Sequence, residues 1–187
     1  MDLSIVIVNW NTRDLLHDCL ASLNDACSSL SFEVFVVDND SSDGSPDMVR
    51  DSFSSFQLIP SGGNLGFTRG NNLAFDRCTG DYILLLNPDT VCPAGSLAKL
   101  VQWSRNIKNL GAVSPMLTDG QGQPVITAGY FPRARFHWLG FFDPMRKLPG
   151  RWMQSRVSII PSLDDPSCTL DYVTGACFLI PRAVLQT

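Results

Sequence analysis

Three short runs of apolar, largely β-branched or leucine residues, each ending abruptly in polar ones, constrain this chain more than anything else in it. Leu3 to Val8 stops at Asn9-Trp10-Asn11, Phe32 to Val37 stops at Asp38-Asn39-Asp40, and Tyr82 to Leu86 stops at Asn87-Pro88-Asp89. Unbroken apolar runs of this length are the pattern of strands covered on both faces. Between the first two, Leu15, Leu16, Cys19, Leu20, Leu23 and Cys27 recur at helical spacing behind a candidate Thr12 cap. Ser45-Pro46 offers an N-cap and a first-turn proline for a second helix, and a further helix is expected around Ser96 to Arg105. Gln57 to Ile59 reads as a shorter strand and Ala112-Val113 as the start of a fifth. Strands alternating with amphipathic helices predict an α/β domain, with a mostly parallel central sheet flanked by helices. In such sheets ligands bind beyond the carboxyl ends of the strands, which here carry Asn9, Asp38 and Asp89.

Composition narrows the partners. The chain has 187 residues, 44% of them hydrophobic, which excludes disorder and suffices for one core. Charged residues make up 17%, below the usual share of about 25%, so more surface than normal is expected to be buried or to meet something apolar. Of the 18 acids, 17 are Asp and one is Glu33, a bias toward caps, turns and metal sites rather than helix interiors. A net charge of -4 and a pI near 4.9 argue against nucleic acid as a partner. Charge is nevertheless uneven. From Tyr130 to Arg156 six basic residues (Arg133, Arg135, Arg146, Lys147, Arg151, Arg156) face one acid, Asp143, interleaved with Phe131, Phe136, Trp138, Phe141, Phe142 and Trp152. That mixture suits peripheral contact with an anionic membrane surface or a lipid-diphosphate acceptor. It also suits aromatics that cover the core beneath solvated cations. The six cysteines (Cys19, Cys27, Cys78, Cys92, Cys168, Cys177) show no C-x-x-C pair and read as reduced, buried thiols of a cytoplasmic protein. Met1-Asp2 leads into the first strand without a basic leader, and no run approaches the ~18 apolar residues of a membrane span. The expected location is therefore the cytoplasm, extending to the inner face of the membrane through residues 130–156.

Three segments can carry chemistry. Asp38 follows a buried strand directly, so its carboxylate can meet a base N–H or a ribose hydroxyl; Asp-Asn-Asp-Ser-Ser-Asp-Gly is also an ordinary polar turn. Asp89 stands behind Pro88, whose fixed φ stiffens the turn, and Mg²⁺ commonly takes one or two protein carboxylates with phosphate and water. Asn-Pro-Asp-Thr is a respectable β-turn as well. Between them, Gly63-Asn64-Leu65-Gly66-Phe67-Thr68-Arg69-Gly70-Asn71-Asn72 offers glycines for close approach and carboxamides that donate and accept. It lacks the spacing of a P-loop or a dinucleotide fingerprint. Gly70 weakens the helix expected from here to Cys78. Farther on, Asp119-Gly120 suggests a hairpin turn.

Taken in order, Val6-Ile7-Val8-Asn9-Trp10-Asn11, Val36-Val37-Asp38-Asn39-Asp40-Ser41-Ser42-Asp43-Gly44-Ser45, Asn64-Leu65-Gly66-Phe67 with Gly70-Asn71-Asn72, and Leu85-Leu86-Asn87-Pro88-Asp89-Thr90 resemble the family 2 glycosyltransferases, nucleotide-diphospho-sugar transferases of the GT-A fold. The likeness is to bacterial rhamnosyltransferase-like members. It spans about residues 3 to 115, and Val173-Thr174-Gly175-Ala176 through Pro181-Arg182 resembles a further family segment. The resemblance implies that Asp38 binds the base of a nucleotide-sugar, helped by Asn9, Trp10 and Asn11. It implies that Asn64, Gly66 and Asn71 shape the nucleotide pocket. Asp89 matches the metal-binding last position of the family's D-x-D motif, and would hold Mn²⁺ or Mg²⁺ against the diphosphate; Asn87 replaces the first carboxylate. The implied reaction is inverting, metal-dependent transfer from a dTDP- or UDP-sugar to a cell-surface glycan or lipid-linked acceptor. In the family the general base lies in an acidic motif downstream of the Thr-Gly-Ala segment. This chain reaches Thr187 without one, so no catalytic residue is assigned, and Asp164, Asp165, Asp171, His17 and His137 are not given the role. The implied division is a donor-binding region over residues 1–115 and a partial acceptor-side region over 116–187. Two rivals stand beside this reading: a catalytically incomplete sugar-nucleotide-binding module, and a nucleotidyltransferase. The latter should carry a glycine- and basic-rich loop after the first strand, where this chain has Asn9-Trp10-Asn11-Thr12.

Overall fold

In the computed structural model, which describes residues 1–125, 128–129 and 172–186, the three apolar runs form adjacent strands. They are β1 (Leu3–Asn9), β2 (Phe32–Asp38) and, after the short β3 (Gln57–Pro60), β4 (Tyr82–Leu86). Helices α1 (Arg13–Ala26), α2 (Ser45–Ser52), α3 (Gly66–Phe75) and α4 (Ser96–Ser104) connect or follow them. Two small antiparallel pairs come later: β5 (Leu117–Thr118) with β6 (Pro124–Val125), and β7 (Ala128–Gly129) with β8 (Tyr172–Val173). A last strand, β9 (Cys177–Pro181), leads into a 3₁₀ turn over Arg182–Gln186.

The main sheet has the order β3-β2-β1-β4-β9. β1 pairs in parallel with β2 and with β4, β2 pairs in parallel with β3, and β9 runs antiparallel to β4 with Leu86 opposite Cys177. The expected mostly parallel α/β sheet is what forms. The expected fifth strand at Ala112-Val113 does not: Val113 makes a single antiparallel bridge to Leu179, and the fifth place belongs to β9. Both faces of the sheet are covered, which is why its strands are apolar throughout. Leu3, Ile5, Val6 and Ile7 have no exposed surface, each buried side chain contributing about 1.5–3 kcal/mol relative to exposure. One face gathers Val6, Phe35, Val37, Ile83, Leu85 and Ile180 against Ala74 and Cys78.

The mid-helix glycine of α3 has a steric cause. A Cβ on Gly70 would lie 2.8 Å from Val8 Cγ1, so only glycine lets the helix sit this close to β1. α3 ends at Phe75, short of the expected Cys78.

The chain divides into two compact units, Met1–Val113 with Gly175–Thr187, and Ser114–Thr174. The segment from Gly175 joins the first unit because it supplies β9. The hairpin expected at Asp119-Gly120 is present between β5 and β6, where Asp119 Oδ1 accepts from the backbone N–H groups of Gln121 and Gln123. Cys19, Cys27, Cys78, Cys92 and Cys177 are free and buried, as expected of reduced thiols. Burial pushes Cys177 up to about 12 and Cys78 up to about 11. Cys168, His137, Asp164, Asp165, Asp171 and the basic aromatic stretch 130–156 lie outside the described residues. Among the described residues no helix is long and apolar enough to cross a membrane.

Candidate functional site

The parallel strands β1, β2 and β4 all end at one edge, and the polar residues that stop them gather there. Asn9 and Asp38 are register partners at the last rung of β1 and β2. Asn9 Nδ2 donates to Asp38 Oδ1 at 3.1 Å and to Ser41 Oγ at 3.0 Å, while Asn9 Oδ1 accepts from Thr12 Oγ1 at 2.7 Å. Both N–H bonds of this fully buried carboxamide are spent on the protein. Asn9, expected beside the base, therefore sits behind the surface and braces Asp38. Asp38 is 5% exposed, and its Oδ2 accepts the Ser41 backbone N–H at 3.0 Å. A carboxylate oxygen accepts more than one hydrogen bond, so capacity toward a ligand remains.

The loop beyond Asp38 holds this arrangement under local strain. Asn11 and Asp40 adopt left-handed φ of 53° and 66°, conformations that Asn and Asp tolerate better than most residues. Asn11 Oδ1 accepts from the Ser42 backbone N–H at 2.8 Å, and Ser41 Oγ accepts from the Asn11 N–H at 2.9 Å. Trp10, between Asn9 and Asn11, is 55% exposed.

Two expected caps behave differently. Thr12 is the N-cap of α1 but makes no side-chain cap bond, because its hydroxyl is spent on Asn9. Asp43 serves instead, accepting the Arg13 N–H at 2.8 Å across the loops. At α2 the N-cap is Gly44, at φ 83°, with Ser45 already inside the helix and bonded back to Asp43. Burial raises the Asp43 carboxyl, and the hydrogen bonds from Ser45 and Arg13 outweigh it, leaving it below the ordinary value.

In the glycine-asparagine loop, Asn64 Oδ1 accepts the Gly66 N–H at 3.0 Å, and Gly66, at φ 73°, opens α3. Asn71 is 3% exposed; its Nδ2 donates to the Phe67 carbonyl at 2.9 Å, while its Oδ1 is buried and unpaired. Asn39, 2% exposed, donates to the Gly66 carbonyl at 3.3 Å and likewise has an unpaired Oδ1.

Past β4, the Asn87 N–H donates to Ala176 O at 2.9 Å, and its carbonyl accepts from Thr90 N at 3.2 Å. That fixes the turn carrying Asp89, which is exposed and enters no hydrogen bond or ion pair among the described residues. Among the described residues no group of three or more His, Cys, Asp or Glu could hold a metal. A divalent cation at Asp89 would take its remaining ligands from substrate oxygens and water, a donor set that suits Mg²⁺ or Mn²⁺.

The structure thus brings Asn9, Asn11, Asp38, Asn87 and Asp89 to one sheet edge, with Asn64, Gly66 and Asn71 at the start of α3. Sequence reasoning missed Ser41, Thr12 and Asn39, which hold the others. Their one signal was position next to the singled-out residues, shared by every turn serine and asparagine nearby.

A mostly parallel sheet with an antiparallel closing strand, flanked by helices and bearing carboxylates beyond two strand ends, defines the class: this is a GT-A-like α/β fold. A mannosyltransferase from Pyrobaculum calidifontis, solved with GDP-Man and Mn²⁺, superposes with TM-score 0.56 at 25% identity, over 62% of this chain and 35% of that one. S. aureus TarS 1-349 superposes with TM-score 0.57 at 20% identity, over 70% of this chain and 42% of that one. The model of glycosyl transferase family 2 matches residues 4–157, and the chain belongs to that family. It is 26% identical to the N-acetylglucosaminyl-diphospho-decaprenol L-rhamnosyltransferase of Mycobacterium tuberculosis, over 97% of this chain and 62% of that protein. The chain therefore spans less than two thirds of the length of that relative.

Proposed function

We propose that this chain is the donor-binding part of an inverting, metal-dependent glycosyltransferase. It would move a sugar from a dTDP- or UDP-linked donor to a cell-surface glycan or a lipid-linked acceptor, at the cytoplasmic face of the membrane. The observation that carries the reading is the pairing of two unlike carboxylates at one sheet edge. Asp38 is buried and braced; Asp89 is exposed and unpaired. A braced carboxylate suits a directional hydrogen bond to a base N–H, whereas a free one suits a hard cation.

In this reading Asn9 and Ser41 hold Asp38 for the base, and the pinned Asn87 backbone holds the turn that presents Asp89. A divalent cation held by Asp89, when bound, would neutralise charge on the departing diphosphate. The name of the Mycobacterium tuberculosis relative supports a lipid-diphosphate acceptor, and the Mn²⁺ and GDP-Man in the Pyrobaculum calidifontis structure support the metal and the donor class. The general base is not assigned to any residue of this chain.

The test is calorimetric titration of dTDP and UDP with and without Mn²⁺. Binding should require the cation and weaken about tenfold or more in Asp89→Ala, equivalent to about 1.4 kcal/mol. Cation-independent binding that the substitution leaves unchanged would remove the metal role. Transfer or slow donor hydrolysis supports an enzyme over a binding module.

A further inference from the structure

Phe67 stands at this edge, and the site as described does not use it. It stands in the first turn of α3 and is 43% exposed, yet it is not free to swing. A Cβ built on Gly175 would meet Phe67 Cζ at 3.1 Å and Cε1 at 3.2 Å, so the tip of the ring already rests on the glycine backbone. The backbone that carries the ring is tied too: Asn71 Nδ2 donates to the Phe67 carbonyl at 2.9 Å, and Asn39 Nδ2 to the neighbouring Gly66 carbonyl at 3.3 Å. The result is a half-exposed ring on a fixed backbone with its tip against Gly175, unlike a singly exposed phenylalanine on an ordinary helix surface.

The strand order says what this ring faces. Along the edge the sequence is β2, β1, β4, β9, carrying Asp38 at β2, Asp89 past β4, and Gly175 just before β9. Ala176, adjoining Gly175, accepts the Asn87 N–H at 2.9 Å, so the contact with Phe67 lies next to the turn that presents Asp89. The start of α3 is also bonded to Asn39, next to Asp38, so Phe67 reaches from the Asp38 end of the edge to the turn that presents Asp89. A nucleotide-sugar runs base, ribose, diphosphate, sugar, and with the diphosphate at Asp89 the sugar would adjoin that turn and the Phe67–Gly175 contact.

We propose that Phe67 is the platform for the donor sugar, its ring packing against the C–H face of the hexose, and that Gly175 is a positioning residue kept free of a side chain to seat that ring. The inference rests on the nucleotide-sugar reading of Asp38 and Asp89. Ring C–H groups of a pyranose are the apolar part of an otherwise polar ligand, and an aromatic face is the usual means by which a pocket selects them. A 6-deoxyhexose, with a methyl in place of a hydroxymethyl, presents more such surface.

The experiment compares each nucleotide with its own sugar ester: dTDP against dTDP-L-rhamnose and UDP against UDP-glucose, with Mn²⁺, on wild type, Phe67→Ala, Phe67→Leu and Gly175→Ala. Wild type should bind at least one sugar ester differently from its parent nucleotide. In Phe67→Ala the nucleotide affinity should stay within about twofold, while the sugar ester weakens about fivefold, the scale of one aromatic packing contact. Gly175→Ala should shift the ratio the same way by a smaller factor, because the added methyl displaces the ring tip, and Phe67→Leu should fall between. A merely structural role would weaken nucleotide and sugar ester together, and that result overturns the proposal. So does a sugar increment that survives Phe67→Ala, or the absence of any sugar increment in wild type while the nucleotides bind. Absence of all nucleotide binding in wild type instead overturns the reading of Asp38 and Asp89.

Discussion

The two edges of the same sheet spend their polar groups in opposite ways. At the amino edge most of the polar groups close on the protein, the buried Arg182 Nε being the exception. Glu33 Oε1 accepts from Ser4 Oγ at 2.6 Å, from Thr79 N at 2.7 Å and from Thr79 Oγ1 at 2.9 Å, and Ser4 Oγ accepts the Gly80 N–H at 2.9 Å. Asp2 is bonded by the Ser31 hydroxyl and N–H, with Arg105 adding to them, and is held down at about 2. At the carboxyl edge the bonds stop short of closure: among the described residues Asp89 has no partner, and the Oδ1 atoms of Asn39 and Asn71 are buried and unpaired. Native interiors leave few such groups, so each calls for an explanation, and at the carboxyl edge a bound ligand would supply one. The sole glutamate of the chain is thus a structural pin, while the abundant aspartates supply both the pins and the candidate site.

Three substitutions break or sharpen this contrast. The largest expected loss is Gly80→Ala. A Cβ there would stand 2.5 Å from Ser4 N and 2.7 Å from Leu3 C, backbone that cannot move aside, so unfolding free energy should drop by about 3 kcal/mol in a denaturant titration. Nucleotide affinity of the folded fraction should be unchanged. Next is Asn9→Ala, which deprives Asp38, Ser41 and Thr12 of one partner and should cost about 2 kcal/mol. Unlike Gly80→Ala it should also weaken nucleotide binding, and an unchanged affinity would sever Asn9 from Asp38's task. The smallest is Glu33→Gln, about 1 kcal/mol at neutral pH. Burial raises the Glu33 carboxyl, but bonds from Ser4, Thr79 and Gly80 win and set it below its ordinary 4.5. A lowered folded value means stability that is complete above 4.5 and lost as pH falls through the folded value. The acid limb of the stability curve should therefore flatten in Glu33→Gln, with no change in nucleotide affinity.

How far the chain could be read before folding also differs between regions. β1, β2 and β4 were legible because strands buried on both faces admit no polar interruption, so the run itself marks the element. β9 was legible as part of a family-like segment and not as a partner of β4, since pairing across about 90 residues leaves no local signature. Val113 looked like a strand because one valine after alanine resembles a strand start; its single bridge to Leu179 is all that geometry allows it. At the candidate site Asp38 and Asp89 were legible through their place after buried strands. The division of labour around them was not. Thr12 stands at the N-cap position, yet its hydroxyl goes to Asn9 three residues back, because a short hydroxyl side chain in a turn can bond a local neighbour instead of the helix it precedes.

The late arrival of β9 also sets an order of events during synthesis. Four parallel strands, β3-β2-β1-β4, are complete once residue 86 has been made, but the outer edge of β4 then shows Tyr82-Ile83-Leu84-Leu85-Leu86 with no neighbour. Its partner is residues 177–181, so at a translation rate of about 5–20 residues per second the edge waits several seconds for cover. An apolar strand with open hydrogen-bonding groups is a template for pairing with another chain. During that interval the nascent chain presents an open apolar edge, and whatever shields β4 on the ribosome protects it from pairing with another chain.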